Sequence, residues 1–157
     1  QTSNITPIKF RFDMACAGRL GMELQPKQMN AEEKAFARKA IESYKGYRDI
    51  VMEGDLYRIG TPYDDTGYYG VMYVSKDKKK AVLFTYCTLY QSRTLVPKYR
   101  LYGLDAQTRY KIREQNVDKK RFWFDGGTFT GEYLNHAGIN PNLNKIYDSA
   151  VFVLEAE

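Results

Sequence analysis

Hydrolytic and transfer chemistry needs a nucleophile or base held close to an acid, so the residues able to play those parts come first. The only histidine is His136, in "EYLNHAGIN". No Ser-His-Asp or Cys-His arrangement is suggested around it, and a lone loop histidine more often makes a surface hydrogen bond than a catalytic one. One histidine without a carboxylate cluster does not make a metal set. Cys16 and Cys87 are the only cysteines. They lie far apart, in different predicted elements, without the spacing of a zinc site or redox pair, and read as two free thiols. "DGGTFTG", with Gly126 and Gly127, reads as a hairpin turn between strands. It is not a phosphate-binding loop, which needs a strand before it and a helix after it. A glycosidase needs two carboxyl groups flanking the bond to be cut. Asp13 and Glu23 are the candidates near the front of the chain. Asp13 follows Arg11, which suggests a structural Arg–Asp pair. Glu23, in "GMEL", would approach an active site if that stretch were a barrel strand. Alternation puts Met22 and Glu23 on opposite faces, so register alone does not place Glu23 in a pocket. Neither carboxylate pairs with another in a recognisable motif. The residues therefore assign no catalytic position, no metal and no cofactor, and leave substrate-binding residues unknown.

The elements that would position such residues divide into a helical front and a β-rich remainder. Asn30 has the character of a helix N-cap, with Glu33 placed to complete a capping box. Phe36, Ala37, Ala40, Ile41 and Tyr44 recur at helical spacing, which predicts a helix over 31–45. A further turn or two follows over 47–52, with Gly54 as the stop. A short helix over 9–17, ended by Gly18, and a short strand at "MEL" precede it. From Leu56 the period changes to two. Runs such as "LYRIG", "YGVMYVS", "AVLFTYCTL", "KYRLYGL", "RYKIREQ", "RFWF", "TFTGEYL" and "SAVFVLEAE" alternate with turn residues. Short strands at this spacing predict an antiparallel sandwich or barrel, and the fold class taken forward is α+β, mainly an antiparallel, Greek-key-like β-sandwich of about eight strands. No run between these strands could hold a crossover helix, so parallel βαβ units are excluded. The natural division is 1–53 and 54–157.

Composition agrees with a globular domain: 157 residues, 43% hydrophobic, 27% charged and 15% aromatic, with fourteen tyrosines and eight phenylalanines. Such aromatic richness suits pleated surfaces. Exposed members such as Tyr68, Tyr69, Trp123 and Phe124 would also suit a carbohydrate-binding module, although core packing is the simpler reading for Trp123 and Phe124. The net charge is +5. Much of it sits in "KDKKK" (76–80) and "KKR" (119–121), which read as solvated hairpin tips and not as a nucleic-acid patch. No stretch is long and apolar enough to span a membrane. The first residue is Gln, so the chain reads as processed or cut from something longer. Its compartment, cytoplasmic or periplasmic, stays open.

Several stretches resemble one family. "FRFDMACAGRLGMELQPKQMNAEEKAFARKAIESYK" resembles the tail of the catalytic barrel in α-galactosidases of glycoside hydrolase family 36, the bacterial melibiase type. "GDLYRIGTPY", Gly54 to Tyr63, is similar to that family's bridge into its C-terminal domain. "AVLFTY", "LYGLDAQTRYKIRE", "FTGEYLNHAGIN" and "YDSAVFVLEAE" resemble its closing strands, in the same order. The resemblance covers nearly the whole chain, from about Ile8. It implies the end of a (β/α)8 barrel followed by a non-catalytic β-sandwich, within a retaining enzyme that cleaves α-galactosides of the melibiose and raffinose type. Both catalytic aspartates of that family lie upstream of the stretches matched here, so none is carried over and the isolated chain is expected to be inactive. The implied partners are the rest of the parent chain with its barrel, the α-galactoside, and a second copy in a homo-oligomer, with no nucleic acid or membrane. Cys16 departs from the pattern by standing where Met or another small apolar residue is expected, which is a change in packing. A stand-alone β-protein that dimerises through a helical arm is the remaining reading, because a severed barrel remnant would expose apolar surface.

Overall fold

The computed structural model describes residues 6–21, 25–63, 65–90 and 97–157. Helix α1, Ile8–Cys16, begins after Pro7 and buries Phe10, Phe12, Asp13 and Cys16. A 3-10 turn over Pro26–Gln28 leads to α2, Ala31–Glu53. The capping box at the front of α2 is formed: the Asn30 side chain accepts from the Glu33 amide at 2.9 Å, and Glu33 reaches back to the Asn30 amide at 3.0 Å. The helix does not pause near Lys45. Its buried positions run on from Ala37 and Ala40 to Tyr47, Ile50 and Val51, with Tyr44 packed alongside, at three- and four-residue spacing. Continuous burial of one face carries the helix through Gly46. It ends at Gly54, whose amide bonds to Ile50 O at 2.9 Å.

Six strands follow: β1 Asp55–Gly60, β2 Tyr68–Val74, β3 Lys80–Cys87, β4 Arg109–Gln115, β5 Thr128–Thr130 and β6 Asp148–Ala156, with helix α3, Gly131–His136, between the last two. They form one sheet in the order β1-β2-β3-β6-β4-β5, and every pairing is antiparallel. The chain's last strand therefore enters the middle of the sheet. β3 and β6 lie at its centre and are covered on both faces. That is why they read as near-continuous apolar runs and not as strict alternation.

The antiparallel β domain expected from the sequence is thus present, as a single sheet of six strands among the described residues. Among the described residues, helices cover one face of this sheet, and loops with α3 cover the other. On one face, Phe10, Cys16, Tyr47, Ile50 and Val51 of the helices pack on Val82, Phe84, Tyr86 and Val151. On the other, Leu101, Leu104, Phe124, Leu134, Ile139 and Leu143 of loops and α3 close over Met72, Leu83, Ile112 and Phe152. "KYRLYGL" contributes only an isolated bridge, Tyr99 to Ile139. "RFWF" forms a turn, with Asp125 N bonded to Phe122 O at 3.2 Å. "TFTGEYL" divides between β5 and α3 because Thr130 caps the helix, its side chain accepting from the Tyr133 amide at 3.2 Å. The predicted "MEL" strand, with Glu23, lies outside the described residues.

Candidate functional site at the helix–sheet junction

Polar groups converge where α1 meets the sheet. Asp13 is fully buried. Its Oδ1 accepts from Asn116 Nδ2 at 3.0 Å and its Oδ2 from Ser149 Oγ at 2.7 Å. The Lys9 ammonium, one helical turn earlier, forms an ion pair with the same Oδ2. The Asp13 carbonyl accepts from the Tyr86 hydroxyl at 3.0 Å. Three elements, α1, the end of β4 and the start of β6, are thereby tied through one carboxylate. The expected Arg11–Asp13 pair is not formed, and Arg11 is exposed. Residues two apart on a helix point to different sides, whereas i and i+4 share a face, so Lys9 is the cation in reach.

The loop after α1 is pinned as well. The Tyr73 hydroxyl donates to Ala17 O at 2.7 Å and the Tyr44 hydroxyl to Gly18 O at 2.8 Å. Beside this latch lies a second group. Arg121 Nε donates to Glu114 Oε1 at 2.8 Å, Nη1 to Asp148 Oδ1 at 3.0 Å and Nη2 to Ser149 O at 2.6 Å. Of the run expected to be solvated, Lys119 and Lys120 are exposed, but the Arg121 side chain is drawn inward to 29% exposure. Two carboxylates attract it, and its planar fork can serve both and a carbonyl at once. Burial pushes the Glu114 carboxyl up, against the pull of Arg121. Burial also opposes the charge on Arg121, but Glu114 and Asp148 outweigh it and hold the guanidinium protonated.

This arrangement ties α1 to the sheet. Both oxygens of Asp13 are occupied by donors, and no substrate atom can reach them. The Cys16 thiol is buried, and burial pushes it up to about 11, with the neighbouring Asp13 charge acting in the same direction. Cys87 is buried too, and both thiols are free, as their spacing implied. His136 is exposed in the last turn of α3. No group of three His, Cys, Asp or Glu able to hold a metal occurs among the described residues. The candidate sugar-facing aromatics do not share a face. Tyr68 is buried, its hydroxyl bonded to Leu143 O at 3.1 Å. Tyr69 packs on Tyr86 at 5.1 Å between ring centroids. Phe124 is buried, while Trp123, read as a core residue, stands 71% exposed. Lys9, Glu114, Asn116, Asp148 and Ser149 escape a reading of the sequence. The one local hint is the polar pair "DS" heading the apolar run "AVFVL".

The fold and the junction together define a mainly β domain packed onto a helical pair through the buried carboxylate of Asp13. Residues 68–154 match the glycosyl hydrolase family 36 C-terminal domain, and the chain belongs to that family. Among curated relatives, it is 30% identical to a probable α-galactosidase G of Aspergillus terreus and 33% identical to α-galactosidase 2 of Hypocrea jecorina, in each case over 100% of this chain and 20% of the relative. Among solved structures, the galactosidase domain of the α-galactosidase–sucrose kinase AgaSK matches with a TM-score of 0.86 at 27% identity, over 100% of this chain and 20% of that one. The family 36 α-galactosidase AgaA of Geobacillus stearothermophilus matches with a TM-score of 0.87 at 25% identity, with the same coverage. The chain thus spans about a fifth of the length of the proteins it matches.

Proposed function

We propose that this chain works as the C-terminal part of an α-galactosidase that hydrolyses terminal α-galactosides of the melibiose and raffinose type with retention of configuration. In this reading, residues 1–53 end the catalytic barrel and residues 54–157 form the C-terminal domain. The catalytic aspartates belong to the part of the enzyme preceding the matched region. The partners are the remainder of that polypeptide, the α-galactoside and, in an assembly, a second copy. One observation supports the role assigned to this piece: the buried carboxylate of Asp13, with donors on both oxygens, which joins α1 to β4 and β6. The domain's contribution is to hold the end of the barrel in place. The names of the relatives favour this over a free-standing carbohydrate-binding module.

The test is direct. The purified chain, incubated with a chromogenic α-galactoside, is expected to give no turnover above a protein-free control. Turnover that persists through repurification would overturn the reading.

A further inference from the structure

Arg121 is one cation between two carboxylates. Its Nε donates to Glu114 Oε1 at 2.8 Å, its Nη2 also reaches Glu114 Oε1, and its Nη1 donates to Asp148 Oδ1 at 3.0 Å. Glu114 and Asp148 are both buried, so one of the two interior negative charges has no cation of its own. The Lys9 ammonium of α1 attracts Glu114 from a distance but is paired with Asp13. Asp125 adds a further negative charge beside Glu114, where its Oδ1 accepts from the Glu114 amide at 3.0 Å.

The two carboxylates that share Arg121 are not equivalent. Asp148 Oδ1 also accepts from the Ser149 amide at 2.9 Å, and the Asp148 side chain keeps 10% exposure. The Glu114 side chain has none. Both of its Arg121 bonds fall on Oε1, and among the described residues Oε2 is buried without a donor. A buried, charged oxygen with no donor is costly. A proton on Oε2 removes the excess charge and leaves Oε1 accepting from Arg121. It also supplies a donor where the cluster lacks one, since Asn116 Oδ1, two residues on, is likewise a buried acceptor without a donor. Burial already pushes the Glu114 carboxyl up, against the pull of Arg121. Glu114 is interior to this chain, so neither a ligand nor further polypeptide is needed to produce the effect.

We propose that Glu114 is a proton switch in the fold: Oε2 takes up a proton on mild acidification while Oε1 keeps the Arg121 link, so the clasp that holds the 119–125 loop to β4 and β6 is firmer in acid and looser in base. The folded chain then holds this proton more tightly than the unfolded chain does. The stabilisation is whole below the ordinary glutamate value of 4.5 and is lost as pH rises through the folded midpoint of Glu114.

Carboxyl carbon NMR of residues 1–157 reads the proton directly, with Glu114 assigned by the signal missing in Glu114→Gln. Its titration midpoint is expected above 4.5. In Asp148→Asn, Arg121 serves Glu114 alone, and the midpoint should move down. Urea unfolding supplies the second readout. Relative to Glu114→Gln, the midpoint of the parent chain should fall as pH rises through the Glu114 titration and stay level below 4.5. A Glu114 titration at or below 4.5, no downward move in Asp148→Asn, or a parent-to-variant gap that does not fall with pH would overturn the switch. Should Glu114→Gln not fold, assignment through the backbone gives the Glu114 signal, and the two NMR measurements still decide. Failure here leaves the α-galactosidase reading standing, because that reading is decided by turnover in the chromogenic assay.

Discussion

Asp13 shows how one side chain comes to hold three elements. A buried carboxylate is tolerated only when its charge and lone pairs are met, and here Lys9, Asn116 and Ser149 meet them. Removing it strands all three partners. Asp13→Ala is expected to destabilise the chain by about 3–5 kcal/mol, read as a lowered urea midpoint at unchanged slope. Asp13→Asn retains an acceptor for Ser149 or Lys9 and should cost less. A substitution at Arg11, which is exposed, should leave the midpoint near that of the parent. At this scale the sequence identified the carboxylate and named the wrong cation. The local rule was available, since Lys9 lies at i−4, but the two partners from the sheet were not.

Among the elements, α2 was the most legible. Its cap, apolar stripe and stop at Gly54 depend on neighbours within about one turn, and all three can be read from the residues. The stripe also carries the helix across Gly46. A Cβ at Gly46 would meet nothing within 4 Å, and its backbone is helical. Gly46→Ala is expected to stabilise by about 0.5–1 kcal/mol through the lower entropy of the unfolded chain, seen as a raised urea midpoint. The strands were less legible. β1, β2, β3, β4 and β6 follow their apolar runs. "RFWF" has equal apolar content yet turns, because the sheet already has its strands and Phe124 is needed beneath the loop. β5 stops after three residues because Thr130 serves the following helix better as a cap than the sheet as a ladder position.

At the scale of the whole molecule, the helical front and the β-rich remainder share one core. Phe10, Tyr47, Ile50 and Val51 cover Val82, Phe84, Tyr86 and Val151. Residues 54–157, expressed alone, would present that strip of apolar side chains to water. This fragment is expected to be less soluble, or to bind a hydrophobic dye more strongly, than residues 1–157. A soluble, cooperatively folding 54–157 fragment would show that the helices are dispensable to the sheet. The exposed-arm reading of the front segment does not fit the structure, since the inner faces of α1 and α2 are already occupied by the sheet. What the sequence determined by itself was local or cumulative: the helix caps and stripe, the change to strand periodicity, the two unpaired thiols, and a family resemblance spread over the whole length. What only the tertiary structure decided was which distant residues meet. Ser149 reaches Asp13 across 136 positions and Asn116 across 103, because β6 is inserted beside β3 and β4 at the centre of the sheet. Helix and strand signals decay within a few residues of chain. Pairings of this separation are set by strand order, which no local pattern encodes.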